Sequence, residues 1–387
     1  MLTSSEPLMP ACLSIRDQFP FLAECAYLDA AAAGLTAPGI GAAVAHHLDQ
    51  SKSRGILGRD EWRTKQESLR ERLTSLLSIP GEDLSFTSST SEGINLFAHS
   101  LAWRAGDEIA FAADEYPTLC EAWRPAVASG AVLVPIDISV SAVDETEREE
   151  ALLQALSSRT RVLALSQVHW VKGTRIDLAR VGRACRANGT ILVVDGVQAL
   201  GATPVDLAYV DVYSAATFKW LLSGFGFALL VMRKWVRAQL SPAFRGAVNA
   251  LTAGPAQASQ LQYAHPNYSG IYALDASLQF FESFGWANVH SQIESLTMRL
   301  HDGLERIGLP SETPRDRMAG IVSIRLADAE TAAAQLSSRS IRVTGRHQAI
   351  RVSPHCYNNE SDIDRLLDAL SEQIAAAPQM FIRDLKT

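Results

Sequence analysis

Short apolar runs separated by amphipathic stretches set the rhythm of the chain between residues 84 and 232. The runs Leu84–Thr87, Asp107–Ala112, Ala131–Ile136, Arg161–Ser166, Ile191–Val194, Val210–Ser214 and Phe227–Met232 are four to six residues long. That is the length of a buried strand and too short for a packed helix. Between them, Glu147–Ser157 is charged and reads as a helix, as does the stretch that SSTSEGINLFAHSLAW begins. Upstream, Ala42–Leu77 alternates apolar and charged residues at helical spacing, with Leu69, Leu73, Leu76 and Leu77 on one face. Strand, helix, strand in repetition predicts an α/β domain with a mostly parallel, doubly wound sheet, whose ligands sit at the carboxyl ends of the strands.

From about Tyr272 the pattern changes. Long amphipathic helices run through Ile307, then a strand at Ile321–Arg325, a helix to Leu336, two short strands and a closing helix, Asp362–Ile374. This predicts a smaller α+β domain. The division is a large domain over 20–265, with 1–19 and 266–387 forming the smaller one.

The 387 residues, 47% hydrophobic, are enough for a large core. A net charge of -7 with the two signs well mixed argues against nucleic-acid or anionic-membrane partners, which favour a basic face. Five cysteines (Cys12, Cys25, Cys120, Cys185, Cys356) form no CxxC pair, so neither a disulfide framework nor a metal site is expected. The first twenty residues lack a basic start followed by an apolar core, and a soluble cytoplasmic protein is expected.

Chemistry enters at Thr190–Met232. The strand Ile191–Val194 ends on Asp195, and Lys219 follows the next strand, beside Trp220 and ahead of Gly224 and Gly226. An Asp in such a place is a turn former or cap, and a Lys a solvated surface residue, unless the two act together. Together they fit pyridoxal phosphate: the carboxylate holds the pyridinium nitrogen protonated, and the lysine ties the aldehyde. Upstream, SSTSEGINLF opens a helix with hydroxyl residues. Ser89 or Thr90 caps that helix with Glu92 in its first turn, or the exposed N–H groups cradle a phosphate.

The run DGVQALGATPVD (Asp195 to Gln198 at its head) and the later TFKW with its glycines resemble the class V aminotransferase family, which also contains the cysteine desulfurases and isopenicillin N epimerase. The resemblance runs in order from Tyr27 to Leu370. It implies the fold type I of pyridoxal-phosphate enzymes, with pyridoxal 5'-phosphate as cofactor and Lys219 as the catalytic residue. Cofactor ligands implied by the matched positions are Thr90, Ser91, Asp195, Gln198 and Thr217, with Tyr116 stacked on the pyridine face and His169 at its phenolic oxygen. Ala216 and Phe218 depart from the family pattern, which has a hydroxyl residue and a histidine or tyrosine there.

AHPNYSG resembles the segment whose threonine reaches the partner's phosphate. This implies a homodimer with shared sites and places His265 in that role. The ending AIRVSPHCYN implies that Arg351 receives the substrate carboxylate, and AYLDAAAAGL puts Asp29 at the substrate pocket. In VTGRHQAIRVS there is no cysteine ahead of that arginine and no room for the mobile loop of many desulfurases. The reaction implied is transamination of a small amino acid, reached by removal of its α proton. A carbon-sulfur lyase or epimerase on the same scaffold is the alternative, and a degenerate ligand- or partner-binding relative is the alternative of another class.

Overall fold

A computed structural model describes residues 15–137, 145–246, 261–309, 311–346 and 348–377. Its centre is a seven-stranded sheet built from β2 (Leu84–Thr87), β3 (Glu108–Ala112), β4 (Val132–Ile136), β5 (Thr160–Ser166), β6 (Ile191–Asp195), β7 (Val212–Ala216) and β8 (Ala228–Met232). The spatial order is β2-β8-β7-β6-β5-β3-β4. All neighbours pair in parallel except β8, which runs antiparallel to both β7 and β2. Strands β2, β3, β6, β7 and β8 are buried at every position, the pattern of a sheet covered on both faces. The apolar runs therefore did mark the strands, with ends that shift by one or two residues.

The helix Thr90–Ser100 starts where the sequence places it, capped by Ser89, whose Oγ accepts the Glu92 N–H at 3.1 Å. A Cβ on Gly93 would lie 2.3 Å from Ser214 Oγ. Only a glycine lets the first turn of this helix press against β7.

The smaller unit has a three-stranded antiparallel sheet, β11 (Thr344–Arg346), β12 (Ala349–Val352) and β9 (Val322–Arg325), in that order. The N-terminal β1 (Ala26–Tyr27) pairs in parallel with β10 (Ile341–Arg342). Arg16 reaches the capping-box residue Asp362 at 2.6 Å. Arg16 and the strand Ala26–Tyr27 thus contact the smaller unit, while Ile15, Phe19 and Leu22 pack into the apolar cluster of the large sheet. Residues 268–293, which the sequence reading put in the smaller domain, send Ile271, Leu274, Leu278, Phe281, Val289 and Ile293 into the apolar cluster of the large sheet. The smaller cluster begins at Leu296 and also takes in Ala26 and Leu28. A long helix, Trp286–Arg306, is shared by both cores because its two halves face different sheets. No helix among the described residues is long and apolar enough to cross a membrane.

Candidate active site

A cavity of about 200 Å³ opens at the carboxyl ends of β5, β6 and β7, lined by Ser89, Thr90, Ser91, Tyr116, Thr118, Ser166, Val168, Trp170, Asp195, Val197, Gln198, Ala216, Phe218 and Lys219. This is where an α/β sheet binds its ligands. Asp195, the last residue of β6, stands in register with Ser166 and Ser214 on the flanking strands. Its Oδ1 accepts the Val197 N–H at 2.9 Å. Lys219 lies three residues beyond the end of β7 and enters the same cavity.

Burial dominates the protonation of this pair. It lifts the Asp195 carboxyl to about 6, against the pull of the Val197 N–H and the Lys219 charge. It lowers the Lys219 amine to about 8, opposed by Asp195 and reinforced by the Arg351 guanidinium. The Lys219 ammonium sits 5.6 Å from the Phe218 ring centroid, and Phe218 stacks at 4.2 Å on Phe225, which is 75% exposed. A ring against the lysine is thus kept at position 218, although its kind differs from the family's.

The hydroxyl run forms one wall. Thr90 Oγ1 accepts the Ala216 N–H at 2.9 Å, tying the helix start to the strand end just ahead of Lys219. Ser91 Oγ meets Thr118 Oγ1 at 2.8 Å. The helix N–H groups and these hydroxyls together make a site for a dianion. On the opposite wall Ser166 is held by Glu115, whose carboxylate accepts both its N–H (2.9 Å) and its O–H (2.6 Å). Gln198 is clamped, its amide donating to Ala31 O at 3.1 Å and its oxygen accepting the Trp220 indole N–H at 3.0 Å. One amide hydrogen of Gln198 is left for the cavity.

Two expected ligands turn away. His169 is buried, but its ring faces Asp114: Nε2 lies 3.2 Å from Asp114 O, and Nδ1 accepts the N–H groups of Val171 and Lys172. Ser166, Val168 and Trp170 face the cavity instead, so the extended chain's alternation puts position 169 on the far side. Thr217 fails for the same reason between Ala216 and Phe218. Its hydroxyl donates to Phe227 O at 2.9 Å and accepts from Ser223. His265 lies in a neighbouring cavity of about 210 Å³, with Ser88, Glu92 and Tyr263, on the other flank of the same helix start.

Arg351, expected at the substrate carboxylate, is not among the residues lining this cavity but stands close enough for its charge to act on Lys219. Arg351 on β12 donates through Nη1 to Trp170 O at 2.8 Å and lies 3.7 Å from Asp29. Its Nε is buried with no hydrogen-bond partner. Asp29 accepts from Thr344 Oγ1 at 2.7 Å and pairs with Arg342 at 3.3 Å. Like Arg351, it does not line the cavity. Trp170, Ser166 and Thr118 are cavity residues the sequence reading missed. Counting in twos from Ser166 finds Trp170, whereas Thr118 carries no signal beyond following Tyr116. Tyr116 meets Trp170 edge to face at 5.5 Å.

The family described as aminotransferase class-V matches residues 26–366. The chain is 23% identical over 314 residues, 79% of its length and 83% of the relative's, to a Bacillus subtilis protein named uncharacterized aminotransferase YcbU. To a cysteine desulfurase of Escherichia coli it is 28% identical over 401 aligned positions, covering 92% of this chain and 96% of the other. Among solved structures it superposes on the cystine C-S lyase C-DES, in complex with its reaction product cysteine persulfide, with a TM-score of 0.84. That match is 22% identical and covers 92% of this chain and 99% of the other.

Proposed function

The chain belongs to the class-V aminotransferase family, and from that premise we propose that it is an aminotransferase working at the α carbon of a small amino acid, with Lys219 as its proton carrier. It is a pyridoxal-phosphate-dependent enzyme of fold type I. The donor set suits the group: a buried carboxylate and a lysine of lowered proton affinity share one cavity, with a hydroxyl-lined helix start as the third wall. When bound, the cofactor supplies a sink for the electron pair left at the α carbon.

The chain's own residues divide the remaining work. Asp195 holds the proton on the ring nitrogen. Thr90, Ser91 and the helix N–H groups hold the phosphate. Tyr116 packs against the ring. Arg351 receives the substrate carboxylate: its unpartnered Nε, which costs about 1–3 kcal/mol while buried, finds an acceptor only when an anion arrives. Lys219, once free, takes the α proton and returns it.

The single observation carrying this reading is the meeting of Lys219 and Asp195 in one cavity, without a second comparable base on its walls among the described residues. One base serving one face suits proton transfer from the α carbon to the cofactor carbon on the other side of the amine nitrogen better than epimerisation, which needs a base on each face. A second reading, carbon-sulfur lysis without a cysteine nucleophile, is favoured by the likeness to the cystine lyase and by the hairpin β11–β12. Only two residues join Arg346 to Ala349 there, with no cysteine between them.

Incubating the cofactor-loaded protein with a panel of amino acids tests these readings. Keto acid with conversion of the cofactor to its amine form supports transamination, and release of ammonia with sulfur supports lysis. A protein with no visible cofactor absorbance, or none lost in Lys219→Ala, would sink both. We also place the protein in the cytoplasm as a homodimer in which His265 completes the partner's phosphate site. Sedimentation showing a monomer at working concentration would remove that part.

A further inference from the structure

The face of the smaller sheet that carries Arg351 holds more positive charge than its partners neutralise. In the register of β11 against β12, Thr344 stands opposite Arg351, and Arg346 opposite Ala349. Arg346 is therefore the diagonal neighbour of Arg351 on one face, at the roughly 7–8 Å that long side chains span. The other face sends Ile324, Ile350 and Val352 into the small core. Arg342 and Arg351 share one carboxylate, Asp29, at 3.3 and 3.7 Å. Arg346 is exposed and ion-pairs with no described residue, and its charge works against that of Arg351. Two arginines diagonal to one another on one face of the hairpin, one with a buried N–H left open, suit a ligand with two negative groups.

We propose that Arg346 receives a second anionic group of the substrate, whose class is therefore an amino acid with an acidic side chain, a carboxylate or a sulfur oxyacid. Arg351 takes the α-carboxylate and Arg346 the distal acid. The neutral analogue of the same size leaves Arg346 without its partner. This rests on the amino-acid reading above.

The test is a spectral titration of the cofactor-loaded protein with aspartate, glutamate and cysteine sulfinate, each against its neutral counterpart asparagine, glutamine or alanine. The acidic members are expected to half-saturate at concentrations lower by about tenfold or more, the worth of one charge-assisted contact. In Arg346→Gln that gap closes, while the neutral amino acids respond as before. Equal responses to acidic and neutral amino acids, or a preference that survives in Arg346→Gln, overturn this inference and leave the amino-acid reading standing. A spectrum unmoved by every amino acid overturns both.

Discussion

The Arg351 guanidinium donates to the Trp170 carbonyl at 2.8 Å, joining the smaller sheet to the wall of the Lys219 cavity. One hand of the arginine is thereby fixed on the large domain, while its buried Nε has no hydrogen-bond partner. In Arg351→Lys a point charge replaces the planar fork and cannot serve Trp170 and a carboxylate together. The expected result is a KM for amino acid raised by about 10- to 100-fold, from the loss of a contact worth roughly 1.5–3 kcal/mol. Cofactor absorbance should stay intact, and a spectral titration reads both.

Lys219 must be neutral to take up the cofactor aldehyde. With its proton affinity lowered to about 8 by burial, uptake by the cofactor-free protein should climb with pH and level off above about 8. A solvated lysine would keep climbing past pH 10. Stopped-flow absorbance across pH 6 to 10 gives the midpoint, and a midpoint near 10.4 would mean that the cavity does not desolvate the amine.

Asp195→Asn should lower two separate readouts. Turnover falls by orders of magnitude because nothing holds the ring proton. The Lys219 midpoint moves below 8, because the Asp195 charge is what raises it against burial. Stability follows a definite sign as well. The folded carboxyl is raised from 3.8 to about 6, so its stabilising contribution is present below pH 4 and is lost as pH rises through 6. In denaturant melts of the cofactor-free proteins, the variant should gain on the parent between pH 4 and 7.

Gly34 packs under the lysine loop. Its N–H donates to Phe218 O at 3.1 Å, and a Cβ there would lie 2.1 Å from Lys219 O and 2.2 Å from Leu222 Cδ2. Gly34→Ala should cost about 1–3 kcal/mol, as overpacking does, and should weaken cofactor retention. Gly81→Ala, where a Cβ would meet nothing within 4 Å, is the matched control. Retention after dialysis separates the two.

What could be read from the chain was whatever depended on strand ends. Asp195 closes a run of apolar residues and Lys219 follows the next run, so their meeting is dictated by the sheet, and Thr90 follows from the helix start. What depended on parity within an extended segment was lost. Position 169 was taken for 170, and Thr217 was credited with a side that belongs to Ala216 and Phe218, because one step along such a segment reverses the direction of every side chain. The antiparallel course of β8 was equally hidden. Its apolar sequence is the same in either direction, and the return is made by the turn through Gly224 and Gly226, both at positive φ. Asp29 was placed at the substrate pocket, whereas it is held by Thr344, Arg342 and Arg351, partners that lie about 300 residues away in sequence and that no local pattern reveals.

The turn joining Arg346 to Ala349 has a consequence for whatever leaves the cavity. With only two residues and no cysteine between those strands, this hairpin offers no thiol arm to carry a sulfur atom across to a receiving protein. Under the proposed reading the product departs by diffusion, as a small molecule.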